Sequence, residues 1–172
     1  DTGMHRIGFP CNEQAVEDIK KIAALPGLEL EGIFTHFAKA DEKNKEAFEY
    51  QLNQFRYMLG VLENEGIRFP IRHAANSAAI MEAGDLELDM VRSGISTYGL
   101  YPSEEVEKDT ADLRPAMALR SRITHVKTLP AGEGIGYGWT YTTTRETKVA
   151  TIPTGYADGY KRALSNQGRV LI

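Results

Sequence analysis

The sequence predicts an α/β fold, part of a parallel (β/α)8 barrel, followed by the beginning of a β domain. Three features predict it. Short apolar runs alternate with helical periodicity through about residue 100, as in a parallel sheet with crossover helices. Polar and glycine-containing segments sit where those runs end, which is where parallel barrels collect their active sites. Beyond about residue 110 the helical periodicity gives way to strand-like alternation.

Taken in order, residues 12–25 read as a helix. Asn12 is the expected N-cap, Val16, Ile19 and Ile22 share one face, and Pro26-Gly27 stops the run. Residues 28–35 read as a strand. A long helix is expected over about 43–64, with Phe48, Leu52, Phe55, Leu59 and Leu62 at helical spacing and Gly66 beyond its end. Residues 69–73 are expected as a second strand, 77–81 as a short helix and 88–91 as a third strand. The acidic stretch 102–115 reads as a linker. After it, 118–129 alternates as a strand does, 140–147 is rich in Thr and Tyr, and 149–153 and 168–172 read as strands. Residues 1–110 are thus expected as barrel and 111–172 as the opening of the β domain. A complete barrel takes about 250 residues, so this chain supplies at most half of one. Half a barrel leaves sheet edges open and is not expected to fold stably alone.

Composition narrows the function classes. Hydrophobic residues are 42% and charged residues 26% of the 172, values of a globular protein. A net charge of −4 disfavours nucleic acid as the partner, because phosphate binding needs a basic face. The single cysteine, Cys11, excludes an internal disulfide and any multi-cysteine metal site, and fits a reducing compartment. No run approaches the ~20 apolar residues of a membrane span, and residues 1–8 lack the pattern of a signal peptide. Both ends read as interrupted strand–turn elements, so a fragment of a longer protein is expected.

Five segments carry candidate chemistry. In Asp1-Thr2-Gly3-Met4-His5-Arg6-Ile7-Gly8, Arg6 either reaches an anion or is a solvated surface Arg. His36 follows an apolar strand and reads as an acid, a base or a structural imidazole. In His73-Ala74-Ala75-Asn76-Ser77, a helix start with a serine hydroxyl makes either a phosphate site or an ordinary cap. Val91-Arg92-Ser93-Gly94-Ile95 offers an Arg at a strand end and a glycine turn whose amides could hold the same phosphate; the alternative is an ion-paired Arg beside a turn. In Gly136-Tyr137-Gly138 the flanking glycines bare the phenol, unless this is a hairpin turn with a packed aromatic. Tyrosine is a poor base at its ordinary pKa near 10 and serves as one only beside cations.

Together and in this order, these segments and Pro153-Thr154-Gly155-Tyr156-Ala157-Asp158-Gly159-Tyr160 resemble the alanine racemase family, enzymes of fold-type III that use pyridoxal 5'-phosphate. The resemblance covers nearly the whole chain. It implies the second half of a (β/α)8 TIM-type barrel followed by the start of a C-terminal β domain. It further implies interconversion of L- and D-alanine by two-base transfer of the Cα proton, which supplies D-alanine for peptidoglycan, in a cytoplasmic homodimer with shared active sites.

Carried over residue by residue, Arg6 resembles the arginine at the cofactor's phenolic oxygen and the substrate carboxylate. Ser77 and the amides of Gly94 and Ile95 resemble the phosphate cradle, with Tyr156 at the phosphate or the substrate entry. Arg92 resembles the arginine facing the pyridine nitrogen, and His73 its orienting partner. Arg stays protonated, so it cannot hand the ring a proton as a carboxylic acid could; the ring is then a weaker electron sink, which favours racemisation over transamination. Tyr137 resembles the base on the L face, reaching the site from the second subunit with His36 as its hydrogen-bond partner. Asp41 and Arg162 resemble residues of the substrate corridor.

His5 stands where a small residue is common in this family. None of the chain's lysines lies in a cofactor-lysine motif, so the attachment lysine is expected before Asp1. The isolated chain is therefore expected to be inactive. Serine or broad-spectrum racemases, a related barrel decarboxylase that uses the same cofactor, and a non-catalytic piece are the other readings. A decarboxylase would place a carboxylate where Arg92 stands.

Overall fold

The computed structural model describes residues 1–172. The chain divides into two compact units, Asp1–Met117 and Ala118–Ile172. In the first, helix α1 (Glu13–Ala23), strand β1 (Gly32–Phe34), helix α2 (Glu46–Asn64), strand β2 (Ile71–His73) and helix α3 (Ser77–Glu82) follow in order. β1 and β2 pair in parallel, with Gly32 opposite Ile71 and Phe34 opposite His73. α2 is the crossover between them. Gly32 is what allows the close pairing, since a Cβ there would stand 2.7 Å from the Ile71 carbonyl oxygen.

The helices begin where the chain chemistry favours it. Asn12 caps α1 by accepting the Ala15 N–H at 2.9 Å, and Lys20 and Lys21 lie in the last turn, where the helix dipole favours cations. α2 starts at Glu46 rather than near residue 43, because Asn44 Oδ1 takes the Glu46 N–H at 2.9 Å and holds the preceding residues in a turn. Its apolar face serves two clusters. Phe48, Leu52 and Phe55 pack with Phe37, Ala74 and Ala78, whereas Met58 and Leu62 pack with Ala15, Val16 and Ile19 of α1. Leu62 is fully buried. Leu62→Ala is expected to cost the full-length protein about 2–5 kcal/mol, read as a lower urea midpoint at unchanged slope.

Several expected elements of this unit differ. Residues 88–91 form no strand. They extend the sheet by one bridge, Met90 to His73, with Asp89 N–H donating to Arg72 O and Arg92 N–H to Ala75 O. β1 is shorter than 28–35 because its partner β2 offers only three residues. The acidic stretch read as a linker is tied down instead. Val106 is buried in the core, Lys43 N–H donates to Glu105 at 2.9 Å, and Glu107 N–H donates to Glu82 at 2.7 Å. Gly99 permits this return: its φ is 73°, and a Cβ would collide with Arg114 O at 1.7 Å.

The second unit holds two small antiparallel sheets. β3 (His125–Leu129) pairs with β6 (Thr147–Thr151), and β4 (Gly134–Ile135) pairs with β5 (Tyr141–Thr142). β3 covers only the end of 118–129, because β6 offers five partners and no more. Residues 140–147 and 149–153 resolve into β5 and β6 rather than longer strands. Residues 168–172 find no partner strand in this unit and stay irregular. Thr143, buried, donates to Pro130 O at 2.7 Å and accepts the Glu133 N–H, closing the turn before β4. No helix in the chain is long and apolar enough to cross a membrane.

Candidate active site

Arg92 organises the C-terminal ends of β1 and β2. Its Nη1 donates to His73 Nδ1 at 2.5 Å. Its Nη2 lies 2.8 Å from Thr35 O, 3.1 Å from His36 Nδ1 and 3.2 Å from Ala74 O. The guanidinium also sits 5.2 Å from the centroid of the Phe34 ring, which stacks on His73. Arg92 is aimed there by the segment before it. Asp89 grips Arg72 of β2 through the Arg72 Nε, Nη2 and backbone N–H, which fixes 89–92 alongside the strand. Arg72 holds the Asp89 carboxyl down at about 2. A carboxyl carbon NMR titration is expected to find that midpoint well below the ordinary ~3.9. The pair's stabilisation is therefore complete above the ordinary range and is lost as pH falls towards 2.

The electrostatics follow from this geometry. A guanidinium only donates, so both imidazoles that face Arg92 must accept at Nδ1 and carry any single proton on Nε2. Burial, and then the Arg92 charge, push both pKa values below the ordinary histidine value, with Arg6 adding to the effect at His36. Arg92 itself forms no ion pair with a carboxylate. The result is one cation held by neutral acceptors, with charge to spare for an electron-rich partner.

A second feature lies beside it. Asn76 caps α3 by accepting the Ala79 N–H, and its amide donates to Phe37 O, joining α3 to the His36 loop. Ser77 follows and is buried. Its Oγ receives the Gly94 N–H at 2.9 Å, the Ser96 N–H at 3.2 Å and the Ser96 hydroxyl at 3.0 Å. Three donors thus converge on one neutral oxygen that has two lone pairs. The Ile95 amide is not among these donors to Ser77. The two Ser96 donors come from the 3-10 turn Ile95–Tyr98.

The turn carrying Arg6 is self-contained. Asp1 Oδ1 accepts the Gly3 and His5 N–H groups, and its Oδ2 lies 3.1 Å from His5 Nδ1. His5 thereby gains a local partner, at a left-handed φ of 53°. Arg6 is exposed and lines, with His36 and Phe34, a cavity of about 360 Å³. Asp41 is half-buried, and its carbonyl accepts from the Ser103 hydroxyl. In the second unit, Tyr137 tops the β4–β5 hairpin, fully exposed between Gly136 and Gly138 at φ of 72° and 70°. Trp139, not Tyr137, packs back on Gly134. Tyr156 is exposed in the 3-10 turn Tyr156–Asp158, and Arg162 begins the next one.

Residues 1–102 match the family profile of the alanine racemase N-terminal domain, and residues 116–172 that of its C-terminal domain. The chain belongs to the alanine racemase family. It is 54% identical over its full length to the alanine racemase of Desulforamulus reducens and spans 46% of that protein. The solved alanine racemase of Clostridium difficile is 51% identical, with a TM-score of 0.87 over 94% of this chain and 42% of that one. The Bacillus anthracis alanine racemase solved with bound L-Ala-P is 40% identical, with a TM-score of 0.82 over 95% of this chain and 43% of that one. The chain therefore spans less than half the length of the alanine racemases it matches. Its fold is that of part of an alanine racemase, barrel segment first and β domain after. Three neighbours of the site were not anticipated: Phe34, Ser96 and Gln51. Gln51 alone carried a sequence signal, as a polar residue at an inward position of α2 between Phe48 and Phe55.

Proposed function

We propose that this chain is the central portion of an alanine racemase that interconverts L- and D-alanine with pyridoxal 5'-phosphate, in a cytoplasmic homodimer that supplies D-alanine to peptidoglycan. The observation that carries the reading is Arg92, held by two neutral histidines and two carbonyls and facing no carboxylate. The residues present fit the cofactor. A permanent cation suits a pyridine nitrogen that is to stay unprotonated, and the three donors gathered on Ser77 Oγ suit a phosphate oxygen better than a hydroxyl. When bound, the cofactor supplies the electron sink that acidifies the substrate Cα–H.

The chain's own residues then have separate tasks. Ser77, with the amides of Gly94, Ile95 and Ser96, holds the phosphate, and Tyr156 closes that side or the entry. Arg6 binds the substrate carboxylate and the phenolic oxygen. Arg92, kept in place by His73, fixes the ring nitrogen. Tyr137 from a second copy moves the proton on the L face, with His36 beside it. Asp41 and Arg162 line the approach. The anchoring lysine is not in a recognisable motif of this chain, so the 172 residues alone are expected to be inactive. A decarboxylase is disfavoured by Arg92, and a serine or broad-spectrum racemase is the near alternative that the products distinguish. The test is to incubate the full-length protein and cofactor with L-alanine, L-serine and L-lysine. D-alanine is expected as the principal product. Release of carbon dioxide from L-lysine without D-alanine would overturn the proposal.

A further inference from the structure

Gln51 lies on the inward face of α2, three residues after Phe48 and four before Phe55, and is only 3% exposed. A buried amide costs free energy unless its polar atoms are bonded, and here both are. Nε2 donates to His36 O at 3.1 Å and to Thr2 Oγ1 at 3.2 Å, while Oε1 accepts the Ala38 N–H at 2.8 Å. The orientation is fixed by the partners, because a carbonyl can only accept and a peptide N–H can only donate. Thr2 then meets the Thr35 hydroxyl at 2.5 Å. The same stretch of chain is gripped by Arg92, at Thr35 O and at His36 Nδ1. Residues 35–38 are therefore clamped by Gln51 through the main chain and by Arg92 through the Thr35 carbonyl and the His36 ring.

We propose that Gln51 is a positioning residue for proton transfer: it fixes the main chain at 36–38, and with it the His36 imidazole, against Arg92 and the turn that bears Arg6. This rests on the racemase reading above. A methionine of similar size would fill the core without burying an amide. What glutamine adds is the simultaneous hold on the loop of His36 and the turn of Arg6, two segments 30 residues apart in sequence. A displacement of His36 by about 1 Å is enough to cost on the order of 100-fold in rate. On the racemase reading His36 serves the L-face base, so the loss falls on one of the two proton transfers and spares the other.

The test uses the full-length holoenzyme with Gln51→Met and Gln51→Glu. Glutamate keeps an acceptor for Ala38 N–H and loses the donor to His36 O. Gln51→Met is expected to lower kcat roughly 10- to 100-fold at near-unchanged cofactor affinity, with Gln51→Glu intermediate. The primary deuterium isotope effect is expected to rise with L-[2-²H]alanine and fall with D-[2-²H]alanine. In the apoenzyme, the ¹⁵N resonance of His36 Nδ1 is expected to move towards that of an imidazole with no donor facing it. Unchanged turnover, or a loss that tracks cofactor content with isotope effects and the ¹⁵N resonance unmoved, would overturn the proposal. If Gln51→Met does not fold, Gln51→Glu decides by the same readouts. A wild-type enzyme that does not interconvert alanine would instead overturn the racemase reading beneath it.

Discussion

Replacing Arg92 with methionine in the full-length enzyme is expected to lower kcat/KM for L-alanine by about 100- to 1,000-fold, the usual cost of losing a preorganised charged donor. The change removes bonds to His73, His36, Thr35 O and Ala74 O at once. It also removes one of the causes that hold the two imidazoles below the ordinary histidine pKa, burial being the other. Both rings are therefore expected to titrate higher in the variant, as ¹⁵N NMR would record. The sign for stability follows. Groups kept neutral by a lowered pKa stabilise the fold fully above the ordinary ~6.5 and less as pH falls through the lowered value. Acid sensitivity below the ordinary ~6.5 is thus expected of the wild type, and a weaker one of Arg92→Met. A loss of less than threefold in kcat/KM would remove Arg92 from its role.

Tyr137→Phe is expected to have an effect of similar size with a different signature. A positioned acid–base side chain contributes about 10²- to 10⁴-fold, so exchange of the Cα proton of L-alanine is expected to slow by that order. Cofactor binding is expected to stay near wild type, because Tyr137 projects from its hairpin with no partner in its own unit. Its two flanking glycines adopt left-handed conformations that keep neighbouring side chains away from the phenol. Unchanged L-alanine turnover in Tyr137→Phe would exclude it as the base.

Much of this was legible in the sequence because the signals were local. Asn12 and Pro26-Gly27 bound α1, and the spacing from Phe48 to Leu62 marks the buried face of α2. His36 and His73 near the ends of β1 and β2, and Arg92 after the bridged segment, are likewise marked as polar residues after apolar runs. What the sequence hid was set by partners. Residues 88–91 look like a strand, yet pair with β2 at one bridge only. The acidic stretch looks like a linker, yet Val106 and two backbone N–H groups bind it to the first unit. Pairing length, not propensity, shortened β1 and β3. The candidate site follows the same division. Arg92, His36 and His73 announced themselves as polar residues after apolar runs, and Ser77 as the hydroxyl at a helix start. Phe34 and Ser96 did not, because stacking on His73 and donation to Ser77 depend on chain segments brought together only by the fold.

The most direct test of the racemase proposal is proton NMR of L-alanine in D₂O with the full-length protein and pyridoxal 5'-phosphate. The roles proposed for Arg92 and Tyr137 predict loss of the Cα–H signal, with deuterated D-alanine accumulating to equality with L-alanine. Retention of the Cα–H with no D-alanine, under conditions where the cofactor is bound, would contradict it.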